Sequence, residues 1–407
     1  MVLVSSHGRA RVTYRRFTSW CLLLLVASTA VLISCDALPW LQPPSGEALG
    51  FNVDGESTDI DVDGDQVFRM YTLFDEIPGK IGSHAPAIIA FDDGALLAAW
   101  YAYSGPNELM GSAIYTARRP AGATTWQAPQ LHIARLVGDG NPVLYHEDDR
   151  VWLFQAVVPL GWATAHIEVQ RSSDRGNTWS DPAAVEGPLG SNVRFPPIHL
   201  DDGTLLLPAY DDLRLRSLFF VSDDGVEWTL RSELFSPLPH ATIQPSVVTT
   251  RGGRLLAVMR NGGGGWLWVS ASTDHGHTWA EPADGGFVNP GTPAQLLRLA
   301  GGNLALIFND SATQRRRLSI ALSADDGRSW PHCRVLVDGE LKYSYPAAVQ
   351  APDGLIHILY SHDRRTIGHI TCNEAWIAAD GADRTERECA RTPAARPPSD
   401  GERRPPG

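Results

Sequence analysis

The eight residues Ser172–Trp179 read SSDRGNTW, and similar stretches, STDHGHTW and SADDGRSW, occur at Ser272–Trp279 and Ser323–Trp330. We call this motif, S-x-D-x-G-x-[ST]-W, the box. A weaker copy ends at Trp228 and a degenerate copy ends at Trp126. Successive boxes therefore lie about 50 residues apart, as in propellers with one four-stranded blade per repeat. Asp can accept turn N–H groups, Gly permits positive φ, and Trp packs between strands. We therefore interpret the box as structural and expect its tryptophans to be largely buried.

A second repeated series has the same period. Six tight turns each enter an apolar strand, and a proline lies about eight residues before most of them. The turns are Asp93-Gly94, Asp149-Arg150, Asp202-Gly203, Gly252-Gly253, Gly301-Gly302 and Asp353-Gly354, and the prolines are Pro86, Pro142, Pro196, Pro245, Pro293 and Pro346. Six such units predict an all-β fold, a six-bladed β-propeller of four-stranded antiparallel blades over residues 66–378. Residues 66–74 are predicted to supply a strand that closes the ring.

The start of the chain has the pattern of an export signal. Four arginines precede the apolar run Trp20–Ser34, and the stretch LISC ends at Cys35. This resembles a bacterial lipoprotein signal peptide, which implies cleavage after residues 1–34 and lipidation of Cys35. An uncleaved signal anchor is the alternative. We expect an exported protein of the bacterial cell envelope that is anchored to the membrane through this cysteine.

The segments that flank the predicted propeller are polar. Residues 35–65 are rich in Pro, Gly and Asp and are interpreted as a tether. A calcium loop starting at Asp59 is the alternative, but its twelfth position is Met70, where a glutamate is expected. Residues 379–407 lack apolar periodicity and are predicted to be disordered.

Composition excludes some classes of function. The net charge is −12, and removing the arginine-rich start makes the chain more acidic, so nucleic acid is not an expected partner. No His/Cys spacing of the metal-binding type appears, and we expect no metal or cofactor. An exported chain permits a disulfide, and Cys333 could pair with Cys372.

Inner strands of a propeller start near the central axis, so residues beside the six prolines should line one mouth. They are His84, Asn141, Arg194, Gln244, Thr292 and Tyr345. Such side chains can form a polar pocket for a ligand. The alternative is that some of them only satisfy strand ends around the channel.

The boxes and hairpins resemble the sialidase superfamily over nearly all of residues 80–376. The resemblance implies a propeller whose boxes lie on the rim away from the active site. It also implies an enzyme that holds a substrate carboxylate with three arginines, since guanidinium groups bind carboxylates bidentately. A tyrosine is the nucleophile in that family, assisted by a glutamate, and an aspartate is the acid/base.

The resemblance assigns roles to individual positions. Tyr345 lies at the family's spacing from its turn and matches the nucleophile, with Tyr343 as a close competitor. Arg260 matches the second arginine and Arg315 the third, although Arg316 and Arg317 are near enough to compete.

Other positions depart from the family pattern. His84 stands at the first arginine position, Gln244 at the position of the assisting glutamate, and Glu108 in the acid/base region. Gln cannot accept a proton, and His binds a carboxylate only when protonated. We place Tyr345, Gln244 and Glu108 in the catalytic group. Arg260, Arg315, His84 and Arg194 form the predicted substrate-binding group.

These residues predict an exo-acting glycoside hydrolase that resembles exo-alpha-sialidases and acts on a terminal acidic sugar of a glycan. A non-catalytic glycan-binding propeller is the first alternative, favoured by the residues at positions 244 and 84. A structural scaffold in an envelope complex is the second.

Overall fold

The computed structural model describes residues 58–61, 65–236 and 241–379. The predicted signal peptide 1–34, most of the tether 35–65 and nearly all of the tail 379–407 lie outside the described residues. The described chain forms six antiparallel sheets, which confirms the predicted six-bladed propeller. Among the described residues, no helix is both long and apolar enough to span a membrane.

Each blade is a short antiparallel sheet whose strands follow one another in the chain. Two strands come before the first blade, β1 (Thr58–Asp61) and β2 (Val67–Thr72). Blade 1 contains β3 (Gly82–Ala90), β4 (Leu96–Tyr103), β5 (Ala113–Arg119) and β6 (Gln130–Ala134). Blade 2 contains β7 (Gly138–Glu147), β8 (Arg150–Val158), β9 (His166–Ser172) and β10 (Ala183–Val185), with a 3₁₀ turn at Trp162–Thr164. Blade 3 contains β11 (Ser191–Val193), β12 (Ile198–His199), β13 (Leu205–Asp211), β14 (Arg216–Ser222) and β15 (Thr229–Leu234).

The second half repeats the arrangement. Blade 4 contains β16 (Thr242–Thr249), β17 (Leu255–Asn261), β18 (Gly265–Ser272) and β19 (Ala283–Asn289). Blade 5 contains β20 (Gln295–Arg298), β21 (Leu304–Asn309), β22 (Arg317–Ser323) and β23 (His332–Asp338). Blade 6 contains β24 (Tyr343–Gln350), β25 (Ile356–His362) and β26 (Thr366–Cys372), and a short helix α1 (Glu374–Ala378) follows.

The ring closes through β2, as predicted. This strand pairs with β26 in the register Phe68↔Cys372 to Thr72↔Gly368, so the start of the propeller becomes the fourth strand of its last blade, and β1 pairs outside it. Asn373 adds to the closure, because its side-chain Oδ1 accepts from Val67 N at 3.1 Å. An apolar core between the last and first blades packs Trp100 against Leu359 and their neighbours.

The hydrogen bonds of the boxes show that they stabilise turns. In the first box, Asp174 accepts from the Thr178 backbone N–H at 2.8 Å and from the Thr178 hydroxyl at 2.6 Å. Ser172 Oγ accepts from the Gly176 N–H at 2.7 Å. The boxes at Asp274 and Asp325 repeat these bonds. Hydrogen bonds from the Thr178 hydroxyl and turn amides hold the pKa of Asp174 below its usual value.

Box tryptophans connect neighbouring blades. Trp279 stacks on Phe219 of blade 3 with ring centroids 4.2 Å apart, and Trp330 meets Phe287 of blade 4 edge to face. Trp179, Trp279 and Trp330 are largely buried, as predicted, although each stays partly exposed at the edge of the blade–blade contact. The weaker copy behaves differently, since Trp228 is only 6% exposed.

One cysteine prediction is also wrong. Cys372 lies fully buried in β26 as a free thiol, so it does not pair with Cys333. Burial raises the pKa of this thiol to about 12, which keeps it protonated and unreactive.

The boxes and the polar mouth lie on opposite faces of the ring. In the first box, Arg175 N donates to Asp149 O at 2.9 Å and Arg175 Nη2 donates to Asp93 Oδ1 at 2.7 Å, so the box lies against the tight turns. Each inner strand runs from the region of its proline to such a turn. The proline ends therefore open on the face opposite the boxes.

Candidate active site in the propeller mouth

Four inner strands begin with the same backbone distortion. The residue directly before the proline has positive φ at Ala85, Asn141, Gln244 and Tyr345, with values of 50°, 44°, 54° and 58°. At each of these places the pairing with the next strand shifts register, as a β-bulge does. Such bulges redirect side chains and are strained for non-glycine residues, which is a feature of functional sites.

Tyr345 and Arg260 form the centre of the site. Arg260 Nη1 donates to Tyr345 Oη at 3.2 Å and to Gln244 Oε1 at 3.2 Å. The guanidinium carbon of Arg315 lies 6.0 Å from the centroid of the Tyr345 ring. The structure thus brings together the predicted nucleophile, the glutamine at the assisting position and both matched arginines.

Tyr343, the competitor for the nucleophile position, points elsewhere. Its ring lies 6.0 Å from that of Tyr360 and 5.2 Å from that of His362, within the apolar core of blades 5 and 6. Tyr343 therefore packs in this core, whereas the hydroxyl of Tyr345 contacts Arg260 in the mouth.

His84 is buried beside the tyrosine. Its ring centroid lies 4.2 Å from that of Tyr345, and its Nδ1 is 2.7 Å from Ser361 Oγ. Burial, together with the charges of nearby arginines, of which Arg364 acts most strongly, holds the pKa of His84 well below its usual value. A neutral imidazole does not attract a carboxylate, so this environment disfavours the predicted role of His84 in binding an acidic group.

Arg194 supports the backbone under the site. Its Nη1 donates to Pro86 O at 2.9 Å, and its Nη2 donates to Tyr345 O at 2.8 Å and Pro346 O at 3.0 Å. The side chain is 2% exposed, and burial lowers the pKa of Arg194 to about 10, which leaves it charged at neutral pH. These bonds fit the alternative in which a ring residue satisfies strand ends, in contrast to the predicted role in substrate binding.

Glu108 is held in place by two partners. Trp162 Nε1 donates to its Oε1 at 3.0 Å, and Arg364 Nη1 lies 3.2 Å from its Oε2. The side chains of Glu108 and Arg364 are 20% and 24% exposed, although Oε2 of Glu108 is itself buried. The charges of both groups affect the pKa of Tyr101, which burial raises well above its usual value.

Sequence reasoning missed Arg364. This residue lies in the turn between β25 and β26, where Asp363 and Arg364 both take positive φ, of 51° and 57°. Its charge acts on His84, on Tyr101 and on Tyr103, which places it at the mouth with the matched arginines. Neither the proline ring nor the family spacing indicates this position, and two adjacent non-glycine residues with positive φ give no sequence signal.

Sequence reasoning also missed Asp212, directly after β13. Asn192 Nδ2 donates to its Oδ2 at 3.0 Å. Burial raises the pKa of Asp212 to about 6, although the Asn192 bond and the charge of Arg260 oppose the shift. Asp212 is thus a second carboxyl group on the same face as Glu108.

No cluster of three or more His, Cys, Asp or Glu side chains that could hold a metal ion occurs within residues 58–61, 65–236 and 241–379. The site brings together arginines, tyrosines, amides, His84 and two carboxyl groups, and it can bind an anionic polar ligand and supply a phenol nucleophile.

Known proteins share this fold and parts of this sequence. A sialidase of Bacteroides fragilis is 23% identical over 393 residues, which cover 81% of this chain and 71% of that protein. A sialidase of Micromonospora viridifaciens is 25% identical over 392 residues, which cover 82% of this chain and 55% of that protein. The solved structure of a Hadza microbial sialidase superposes with a TM-score of 0.64 at 21% identity, covering 75% of this chain and 67% of that one.

A family profile also matches the propeller. The profile of the BNR repeat-like domain covers residues 94–358, from the first tight turn to the middle of β25. This match spans well over half of the 407 residues, and the chain belongs to the BNR repeat-like domain family.

Proposed function

We propose that the protein is an exo-acting glycoside hydrolase that removes a terminal acidic sugar from glycans. The observation that carries the proposal is the contact of 3.2 Å between Arg260 Nη1 and Tyr345 Oη in a mouth that also contains Arg315 and Arg364. A phenol beside several guanidinium groups suits a sugar that carries a carboxylate at or near the reacting carbon.

In this proposal the arginines bind and the tyrosine reacts. Arg260, Arg315 and Arg364 hold the carboxylate of the sugar, so that Arg364 takes the place that His84 leaves unfilled. Tyr345 Oη attacks the anomeric carbon and forms a covalent bond to it, while the bond to the leaving oxygen breaks. Water then attacks the same carbon and releases the sugar and Tyr345.

Glu108 is the proposed proton donor to the leaving oxygen. In the free protein it faces Arg364, and a substrate carboxylate that engages the same guanidinium would compete for this partner. Glu108 could then carry a proton to the leaving group and take one back from the attacking water.

Gln244 limits the rate in this proposal. A glutamate at this position could take the phenolic proton of Tyr345, whereas the amide oxygen of Gln244 accepts a hydrogen bond from Arg260 and cannot take up a proton. The proton must leave to solvent while Arg260 stabilises the developing negative charge. We expect turnover that is slow for the family.

The relatives support sialic acid as the first sugar to test. Proteins named sialidase are 23% and 25% identical to this chain, which is distant enough for the preferred sugar to differ. A panel of aryl sialosides, glucuronides and galacturonides, with neutral aryl glucosides as controls, tests the proposal. We expect the aryl alcohol to be released from at least one acidic glycoside and from none of the neutral ones.

Other outcomes of the panel distinguish the proposed hydrolase from its alternatives. Release from neutral glycosides alone would contradict the role of the arginines. A rise in melting temperature with an acidic glycoside that is never cleaved would instead identify a glycan-binding propeller.

A further inference from the structure

A chain of hydrogen bonds crosses three blades behind the reacting tyrosine. It runs from Arg260 in blade 4 through Gln244, Tyr210 and Asn141 to Asn192, and it ends at Asp212 in blade 3. Asn141 belongs to blade 2, so the middle of this series of hydrogen bonds lies where the inner ends of three blades meet. All donor–acceptor distances in it lie between 3.0 and 3.2 Å.

The end at Arg260 fixes the direction of the first bonds. A guanidinium only donates, so the atom of Gln244 that faces Arg260 must be the oxygen Oε1. The amide nitrogen of Gln244 then faces Tyr210 Oη at 3.2 Å and donates to it. A glutamate at this position would accept from Tyr210 instead.

The other end fixes the remaining bonds independently. The backbone N–H of Val193 donates to Asn192 Oδ1 at 2.9 Å, which leaves Nδ2 to donate to Asp212 at 3.0 Å. Because Oδ1 of Asn192 is an acceptor, Asn141 must present its nitrogen at 3.1 Å. The same nitrogen donates to Tyr210 Oη at 3.0 Å.

Tyr210 is therefore the point where both directions meet. Its oxygen accepts two N–H groups, one from Gln244 and one from Asn141, so both of its acceptor sites are used. Its own hydroxyl hydrogen still needs an acceptor, and within the described residues no such acceptor faces it. The side chain is 2% exposed, and a buried hydroxyl donor without an acceptor is costly.

We propose that Tyr210 is a ligand-binding residue whose hydroxyl donates a hydrogen bond to an oxygen atom of the sugar in the mouth. The acceptor is a carboxylate, carbonyl or hydroxyl oxygen, since the two amides prevent the Tyr210 oxygen from accepting from the ligand. Gln244 then contributes to ligand binding, because its amide N–H directs the hydroxyl hydrogen of Tyr210 toward the ligand. This inference rests on the proposed function for the identity of the ligand as an acidic sugar.

Calorimetric titration of the full chain with N-acetylneuraminic acid and with glucuronic acid tests the inference. We expect Tyr210→Phe to weaken binding of the sugar that wild type binds by about five- to tenfold, the effect of one lost hydrogen bond. Tyr360→Phe is the matched control, because Tyr360 is equally buried at 2% exposure but lies in the apolar core of blades 5 and 6. The control should bind like wild type.

A crystal structure of wild type soaked with the same sugar separates contact from indirect effects. A sugar oxygen within hydrogen-bonding distance of Tyr210 Oη supports the inference. Wild-type affinity in Tyr210→Phe, or a bound sugar that leaves Tyr210 untouched, overturns it.

Failure of the proposed function would be visible separately. If wild type binds neither sugar, the donor direction is judged in the crystal structure of the free protein, and the proposed function is contradicted when the glycoside panel also shows no release. An ordered water that accepts from Tyr210 supports that direction, and its absence overturns the inference.

Discussion

At residue 345 the backbone takes a φ of 58°, a conformation that ordinary strands avoid. The distortion turns Tyr345 out of the strand and toward Arg260, and Arg194 holds the strained segment by its carbonyl oxygens. Gln244 has the same distortion in blade 4. The contact between Tyr345 and Arg260 therefore depends on backbone strain that a buried arginine compensates.

Arg364 should matter for binding in a way that its neighbour does not. Arg364→Ala should weaken binding of an acidic sugar by roughly ten- to a hundredfold, since a charge-assisted hydrogen bond contributes about 1.5–3 kcal/mol. Arg365→Ala is the matched control, because Arg365 is 76% exposed and pairs with Asp363. Calorimetric titration measures both variants. Equal affinities of the two would contradict a role for Arg364 at the site.

Asp212 gives a pH-dependent prediction. Its pKa of about 6 in the folded protein exceeds the ordinary value near 3.9, so the folded state holds the proton more tightly. The protonated form of Asp212 therefore contributes stability that is fully present below pH 4. This contribution is lost as the pH rises through 6. Urea unfolding of wild type and Asp212→Asn at pH 4 and pH 7.5 measures it.

From pH 4 to pH 7.5, the unfolding free energy of Asp212→Asn should rise relative to that of wild type by roughly 2–3 kcal/mol. This is the equivalent of about two pKa units. A difference between the two proteins that does not change with pH would show that Asp212 is not desolvated in the folded state.

The site residues that spacing predicted lie on the first or second strand of a blade. Tyr345, Gln244 and Arg260 could be placed because each lies at a constant distance from a repeated turn or proline. Arg364 and Asp212 could not, because each follows the end of a strand, where the direction of a side chain depends on tertiary packing. The roles of Arg194 and His84 depend on burial and on neighbouring charges, which the sequence does not show.

The box is the element that repeats most faithfully, and its glycine meets two demands. Gly176 has a φ of 76°, and a Cβ there would lie 2.9 Å from Trp179 and 3.1 Å from Leu97. Gly94, in a tight turn, has a similar φ of 82°, but a Cβ there would meet nothing within 4 Å. The two glycines therefore separate the cost of backbone conformation from the cost of crowding.

Replacing each glycine by alanine tests this difference. Gly94→Ala should cost about 1 kcal/mol of unfolding free energy through its φ alone. Gly176→Ala should cost about 2–4 kcal/mol, because overpacking adds to the same penalty. Denaturant titration of both variants measures the two costs. Equal losses of unfolding free energy in the two variants would show that the residues around Gly176 accommodate the added methyl group without cost.

At the scale of the whole molecule, the propeller was predictable because its period appears twice, in the boxes and in the turns. Strand β2 closes the ring by pairing with β26, as the apolar stretch at residues 66–74 indicated. The box tryptophans are largely buried as expected, but sequence alone does not show that these three stay partly exposed while Trp228 is buried.

Export remains a prediction, because Cys35 lies outside the described residues. We expect Cys35→Ser to leave an unprocessed precursor in the bacterial host, while Cys21→Ser, in the apolar run, should be processed normally. Immunoblots of membrane fractions would distinguish the two forms by mass. If Cys35→Ser is processed and membrane-bound like wild type, the protein is not a lipoprotein.

The rate of sugar release by Tyr345→Phe tests the central claim most directly. The substitution removes only the hydroxyl that Arg260 contacts at 3.2 Å, and Tyr343→Phe, with its ring in the neighbouring core, is the matched control. On the acidic glycoside that wild type cleaves, we predict that Tyr345→Phe loses roughly a thousandfold or more in kcat while Tyr343→Phe retains wild-type kcat. A Tyr345→Phe protein that releases the sugar at the wild-type rate would contradict the account.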